Sequence, residues 1–283
     1  MLKCCPRPVV RTLGTRAVFA QRKMATIRSS VPHEDRTAAE PREGQLEAVV
    51  LANIKEVNDN VRLLRLFPVI NRTIKFLPGQ WLDTFIPGIP RAGGFTLTST
   101  PDQARASVST PPYLELAIQK SRNPPAQWLW KPSEEIIGTQ LVVRVGGSFT
   151  WPPPHLDVAK VDRLVLVAGG VGIKILFLPR LMDLVAAAAD SNVTLRLFLT
   201  GTGDQGYIEH GKLPNSTFGG RIQEIDLLKA IDGYKKNVFG PEHDRKGTVA
   251  LVCGPPKMTD EMVAYLQKQP GMSLDRVLCE KWW

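Results

Sequence analysis

Two short runs carry residue types whose order points to chemistry. Asp162–Arg180 reads DRLVLVAGGVGIKILFLPR: apolar Leu164 to Ala168, then Gly169, Gly170 and Gly172, then an apolar run that stays helix-compatible to Asp190. Strand, glycine turn and helix in that order aim backbone N–H groups and the positive end of a helix dipole at one point, an arrangement that receives a phosphate. Glycine is needed there because a Cβ would hold the backbone away from a pyrophosphate. Alone, GGxG fits a tight structural turn equally well. The second run, VALVCGPP (249–256), is another strand closed by a glycine–proline turn, with Cys253 at its edge.

These runs need a scaffold, and the chain supplies two kinds. From Gln45 to Val145 it reads as short strands: LEAVVLANIKEV (46–57), VRLLRLF (61–67), QWLDTFIP (80–87), GFTLTS (94–99), YLELAIQK (113–120) and QLVVRVGG (140–147). Asn58-Asp59-Asn60 and Pro78-Gly79 punctuate them as turns. Six strands at this spacing predict a small antiparallel β-barrel over residues 45–150. PPAQWLWKPSEE (124–135) interrupts it as a short helix opened by proline and closed by Pro132, with Trp128 and Trp130 packing it onto the barrel. WPPPH opens a stiff linker at 151–160. From residue 161 strands alternate with helices: the glycine turn and its helix (171–190), VTLRLFLT (193–200), a helix near Arg221–Ile231, VALVCGPP, a helix at 258–269 and a last strand RVLCEKWW (276–283). That order predicts an α/β domain with a doubly wound parallel sheet, which binds ligands at the carboxyl ends of its strands. Both glycine turns fall at such ends.

Charge excludes one class of partner. The net charge is +9, and residues 1–33 hold Lys3, Arg7, Arg11, Arg16, Arg22, Lys23 and Arg28 with no acid before Glu34. The remainder carries 29 basic against 27 acidic residues. The body is nearly neutral, so no nucleic-acid partner is expected. An Arg-rich, acid-free N-terminus predicts a mitochondrial presequence over residues 1–30, removed between Arg22 and Ser30, since Arg11 and Arg16 break every apolar run a secretory signal would need. Residues 31–44 read as a polar linker. No run reaches the ~18 apolar residues of a membrane span. Beyond Cys4 and Cys5 only Cys253 and Cys279 remain, which predicts neither a disulfide framework nor a metal site.

Four places, in order, resemble the ferredoxin–NADP reductase family over residues 45–283. GGFTLTS (93–99) is similar to the family's Arg-x-Tyr-Ser/Thr-x-x-Ser flavin motif, and NPPAQWL (123–129) stands at its flavin-phosphate turn. AGGVGI (168–173) is close to AGGTGITP, and CGPPKM (253–258) is close to CGPxxM. A group within the family shares the GGF form, the PPA turn and the EKWW end. The resemblance implies an FAD-binding barrel, an NAD-binding domain, and hydride transfer from NADH to FAD followed by electron delivery to an acceptor, such as a redox protein, that the sequence does not identify. It further implies that Phe95 packs on the isoalloxazine, Thr96 meets flavin N5 and Ser99 supports the ring. Ala168, Gly169, Gly170, Val171, Gly172 and Ile173 would wrap the pyrophosphate, with Gly254 and Pro255 as the opposite wall. Cys253 would lie by nicotinamide C4, and Glu280 and Trp282 near the other flavin face. Thr96, Cys253 and Glu280 are the residues expected at the reacting atoms.

Two departures stand out. The motif's Arg is Gly93, so Arg91 is the nearest guanidinium, two residues early and, on a strand, pointing to the same face. The phosphate-turn Ser is Ala126 and its Gly is Asn123. These losses motivate a competing reading, an NAD-binding sensor or interaction protein without tight flavin binding. NAD rather than NADP is expected because residues 200–211 offer Asp204 and Glu209 but no Lys or Arg for a 2′-phosphate; the GTGDQG within them reads as a surface turn.

Overall fold

A computed structural model describes residues 31–170, 177–188, 193–200, 213–214, 216–233 and 245–281. The expected presequence, Val171–Ile173, the 201–212 loop and Trp282 lie outside the described residues.

All six expected strands of the first half are present: β1 (Glu47–Asn58), β2 (Val61–Pro68), β3 (Trp81–Phe85), β4 (Gly93–Thr96), β5 (Leu114–Gln119) and β6 (Gln140–Gly146). They form one antiparallel sheet in the order β4-β3-β6-β1-β2-β5. The β1–β2 turn is fixed by the Asn58 side chain, whose Oδ1 accepts the Asn60 N–H at 2.8 Å. Alternate residues point inward, so Val49, Leu51, Leu64, Leu66, Leu82, Leu114, Leu116, Leu141 and Val143 make one core. Each such aliphatic side chain contributes ~1.5–3 kcal/mol on burial.

The sheet curls, but no continuous ladder closes it. Its edge strands meet through a single bridge, Leu97 with Leu116, and the Thr98 N–H donates to the Glu115 carbonyl at 2.8 Å. The expected short helix is two: α2 (Pro124–Trp128), with Pro at its first position, and α3 (Ser133–Ile136), for which Pro132 is the N-cap. Pro132 therefore starts the second helix rather than closing the first, which has already ended at Trp128. Ala126, Leu129 and Ile136 enter the core, and Trp128 and Trp130 pack against it.

Residues 31–44 differ from the expected linker. They open with α1 (His33–Arg36), and His33 is only 3% exposed. Farther on, Arg42 bridges to Gly146 of β6. This N-terminal strap lies across the outer face of β4, β3 and β6.

The 151–160 segment is anchored at its start and its middle: the Trp151 N–H donates to the Pro78 carbonyl at 2.9 Å, and His155 Nε2 meets the Asp275 carbonyl at 2.9 Å. Beyond it, β7 (Arg163–Ala168), β10 (Thr248–Cys253) and β11 (Val277–Glu280) form a parallel sheet in the order β11-β10-β7. The 193–200 strand is shorter than expected. It is β8 (Leu197–Leu199), paired in parallel with β9 (Thr217–Gly219) as a separate two-stranded sheet. The expected parallel architecture is thus present in two pieces. One face of the three-stranded sheet is covered by α5 (Glu224–Asp232) and α6 (Pro256–Gln267), which bury Leu227, Ile231 and Leu266 against Val165, Val167 and Val252. A buried bidentate pair, Arg245 with Asp232 at 2.6 and 2.9 Å, holds α5 to the chain before β10. The helix expected at 171–190 is described as α4 (Leu178–Ala187).

Candidate functional site

Parallel register sets the geometry of the carboxyl edge. Cys253 is level with Ala168 on one side and with Glu280 on the other. Adjacent strands run ~4.8 Å apart, so three candidate residues from distant parts of the sequence stand in one row. The Gly169 N–H donates to the Cys253 carbonyl at 3.0 Å, which joins the two glycine turns.

Met258 explains why both turns are glycine. A Cβ on Gly169 would collide with Met258 Sδ, and one on Gly254 would collide with Met258 Cε and lie 3.1 Å from the Gly169 nitrogen. The Met of CGPPKM, one turn into α6, therefore packs on both motifs at once. Thr259 locks the same corner, its hydroxyl donating to the Gly254 carbonyl at 3.1 Å. Gly170 serves differently. Its φ is +119°, a conformation side chains rarely adopt, and among the described residues nothing lies within 4 Å of its Cβ position. That is the approach a phosphate requires, and it fits the dinucleotide that the glycine turn implies.

Cys253 and Cys279 carry no disulfide and are half-buried. Burial pushes the Cys279 thiol up, against the lowering effect of Lys281, itself paired with Asp260 at 2.7 Å. Glu280 lines a cleft of about 580 Å³, whose other walls include Arg36, Thr37 and Glu40 of the strap, Phe149, and His155 of the linker. A volume of that order suits a small-molecule ligand.

The barrel side of the site is organised around β4. Thr96, at its end, is exposed. Phe95 is 9% exposed and belongs to the barrel core, where it packs over Gly93. A Cβ on Gly93 would lie 2.6 Å from both the Phe95 ring and Pro125, so no arginine fits where the family motif has one. A Cβ on Gly94 would enter the His33 ring. The GGF form is thus dictated by two neighbours, α2 on one face and the strap on the other. Arg91 lies before β4, and its guanidinium donates to Asp35 Oδ1 at 3.1 Å. Ala126, expected as a lost phosphate ligand, is buried in the core. The Ser99 hydroxyl accepts the Glu115 N–H at 3.0 Å.

The two halves are joined at this point. Arg180 of α4 donates to Glu115 Oε1 at 2.7 Å and to the Thr98 carbonyl at 3.3 Å. Arg65 holds the other Glu115 oxygen at 3.2 Å, and the Thr98 hydroxyl donates to Oε1 at 3.2 Å. Burial raises the Glu115 carboxyl, but hydrogen bonds from Arg180, Arg65 and Thr98 more than offset it and hold it below the usual range. The helix that follows the nucleotide turn is thereby tied to the strand ends that carry the flavin candidates.

Sequence reading missed the strap. Asp83 is 0% exposed and receives His33 Nε2 at 3.1 Å on Oδ1, with Arg42 Nε at 2.8 Å and Arg144 Nη2 at 2.7 Å on Oδ2. Burial would raise this carboxyl, yet the bonds from His33, Arg42 and Arg144 bring it down to about 2. His33 also stands edge-on to Trp81 at 4.5 Å, and Arg42 lies 5.0 Å over the same ring. One signal was available: an acid inside the strand WLDTF needs basic partners. Among the described residues there is no cluster of His, Cys, Asp and Glu able to hold a metal and no helix long and apolar enough to cross a membrane.

No protein-family model matches the chain. It is 31% identical to Oxidoreductase NAD-binding domain-containing protein 1 of Danio rerio over 296 residues, covering 91% of this chain and 100% of the relative. Its fold is similar to that of the Amycolatopsis cytochrome P450 reductase GcoB (TM-score 0.53, 20% identity, 86% of this chain and 71% of that one). It is also similar to a ferredoxin NADP+ reductase from Neisseria gonorrhoeae with bound FAD and NADP (TM-score 0.50, 13% identity, 85% of this chain and 100% of that one).

Proposed function

The chain belongs to the oxidoreductase NAD-binding domain-containing protein 1 family, and from that premise we propose that it is a flavin-dependent reductase that oxidises NADH and passes electrons to a further acceptor. The observation that carries the reading is the level row Ala168, Cys253 and Glu280 beneath two interlocked glycine turns. Bound NADH and FAD would supply the hydride chemistry; the protein supplies position and electrostatics.

Each residue then has a physical task. Gly170 lets the backbone meet the dinucleotide pyrophosphate. Met258 keeps Gly169 and Gly254 in contact, so the nucleotide turn and the wall beside the nicotinamide keep one spacing. Cys253, small and polarizable, lets the nicotinamide lie flat at the strand end. Thr96 offers an exposed hydroxyl to flavin N5, and Glu280 supplies a carboxylate from the facing strand. Arg180 holds the two halves in register, which matters because hydride transfer needs the reacting atoms ~3–3.5 Å apart.

NADH over NADPH is supported by the lack of Lys and Arg in residues 200–211, and a mitochondrial location by the acid-free basic N-terminus. The competing reading, a nucleotide-binding protein without tight flavin, is favoured by the closed Gly93 position and the buried Ala126. One experiment decides. The purified protein carries a flavin band near ~450 nm that bleaches with NADH and less with NADPH. A colourless protein that FAD and FMN cannot reconstitute, yet that binds NADH, overturns the reductase reading.

A further inference from the structure

A small polar cavity of about 170 Å³ lies where α4 meets the barrel, lined by Asn53 and Lys55 of β1, Leu63 and Arg65 of β2, Glu115 of β5 and Arg180 of α4. It shares no wall with the cleft at Glu280. Strand pairing builds its floor. Asn53, Arg65 and Glu115 stand level on three neighbouring strands, and Lys55 and Leu63 form the next row on that face. Three cations meet one acid here, and the acid is already spent. Glu115 Oε1 accepts from Arg180 Nη2 at 2.7 Å and from the Thr98 hydroxyl at 3.2 Å, while Oε2 accepts from Arg65 Nε at 3.2 Å. Bonding through Nε leaves the Nη groups of Arg65 to meet another anion. Among the described residues Lys55 has no acidic partner.

We propose that this cavity binds a small dianion, of the size and charge of inorganic phosphate, between Lys55, Arg65 and Arg180. Three observations lead to it. First, three positive charges against the one negative charge of Glu115 leave an excess of two, which a dianion neutralises. Second, the volume falls below the ~300–1,000 Å³ of sites for larger ligands, so it admits a compact ion and excludes a nucleotide or a flavin. Third, the guanidiniums are held before any ligand arrives. Buried Glu115 fixes both, and the Tyr113 ring lies 4.6 Å from the Arg65 guanidinium carbon, so little side-chain freedom is lost on binding. Lys55 and Arg65 belong to the barrel and Arg180 to the helix after the glycine turn. A bound dianion therefore adds a second tie between the two halves beside the Arg180–Glu115 pair. The inference does not depend on the reductase reading.

The test is isothermal titration calorimetry of the full chain with sodium phosphate at about pH 8, with ionic strength held constant and NAD+ present at saturation to fill the glycine turn. The wild type binds one phosphate per chain, sulfate competes with it, and acetate at equal ionic strength does not. K55Q weakens phosphate binding roughly 3–10-fold, the range for one partly exposed charge pair, and K55Q/R65Q abolishes it. Thermal unfolding shows that the variants are folded, and phosphate raises the midpoint of the wild type but not of K55Q/R65Q. No saturable binding to the wild type, or equal affinity in a folded K55Q protein, overturns the inference. So does acetate that matches phosphate, which marks general screening, or binding that appears only without NAD+, which places the phosphate at the glycine turn.

Discussion

His33 and Asp83 stand fifty residues apart in sequence and 3.1 Å apart in the fold, both buried, beneath the strand that carries Gly94 and Thr96. Two arginines complete the cluster, so one carboxylate orders the strap, β3 and β6 together. Asp83→Asn leaves Arg42 and Arg144 without their counter-charge and costs about 3 kcal/mol. His33→Ala costs about 1–2 kcal/mol through the lost bond and the space left over Gly94. The double variant costs less than the sum, because the residues share one interaction. Urea unfolding midpoints measure all three; additive effects would show that the pair is not coupled.

Acid reads the same cluster. The Asp83 carboxyl is depressed in the folded chain, from an ordinary 3.8 to about 2. Its contribution, about 2 kcal/mol, is therefore fully present above the unfolded value and is lost as pH falls through about 2. Glu115, also depressed, adds to the slope in the same direction. Stability of the wild type falls between about pH 4.5 and 2, and Asp83→Asn flattens that fall by about 2 kcal/mol. Chemical denaturation at stepped pH tests it; parallel curves for the two proteins would refute the assignment.

Much of this was legible in advance. The six barrel strands showed themselves by alternation and turn residues, and the nucleotide half by strands that end in glycine. The strap was not legible, because a stretch such as PHEDRTAAEPRE has no apolar periodicity and is held by buried ion pairs rather than by a hydrophobic face. Of the pair Gly93-Gly94, Gly93 looked like a lost ligand when read along the chain. In the fold each glycine answers a neighbour that is distant in sequence, Pro125 for one and His33 for the other. The separation of β8 and β9 from the three-stranded sheet likewise depends on pairing, which strand propensity does not encode.

The corner at Met258 predicts a compensation. Gly169→Ala forces a Cβ into the methionine sulfur and destabilises the nucleotide half by about 1–3 kcal/mol. Met258→Ala in the same chain recovers part of that loss, although Met258→Ala alone is destabilising. Gly170→Ala meets no atom of the described residues and is strained by its φ of +119°, about 1–3 kcal/mol that Met258→Ala does not relieve. Thermal melts of the wild type and the five variants separate the two mechanisms.

Arg180 and Glu115 couple the halves. A double-mutant cycle with Arg180→Ala and Glu115→Gln gives a coupling energy of about 1 kcal/mol, limited by the partial exposure of the arginine. The rate of flavin reduction by NADH falls in Arg180→Ala by more than NADH affinity does, because alignment rather than binding is lost. Stopped-flow reduction at saturating NADH reads the difference; equal losses would assign Arg180 to nucleotide binding.

Thiol chemistry separates the two cysteines. Burial holds the Cys279 thiol above its ordinary range, so its alkylation by iodoacetamide is slow at neutral pH and accelerates into the alkaline range. Peptide mapping of a time course checks this, and rapid labelling of Cys279 at pH 7 would contradict it.

The strap also fixes an order of events during synthesis. His33 and Arg42 leave the ribosome early, but Asp83 follows roughly forty residues later, and Arg144 and the Gly146 backbone about sixty after that. Until β6 exists, Arg42 has no Gly146 backbone to bridge to, and Asp83 lacks its third basic partner. A nascent chain halted before residue 144 leaves the Asp83 carboxylate with His33 and Arg42 but without Arg144. Full docking of the strap is therefore a late, long-range closure that waits for β6.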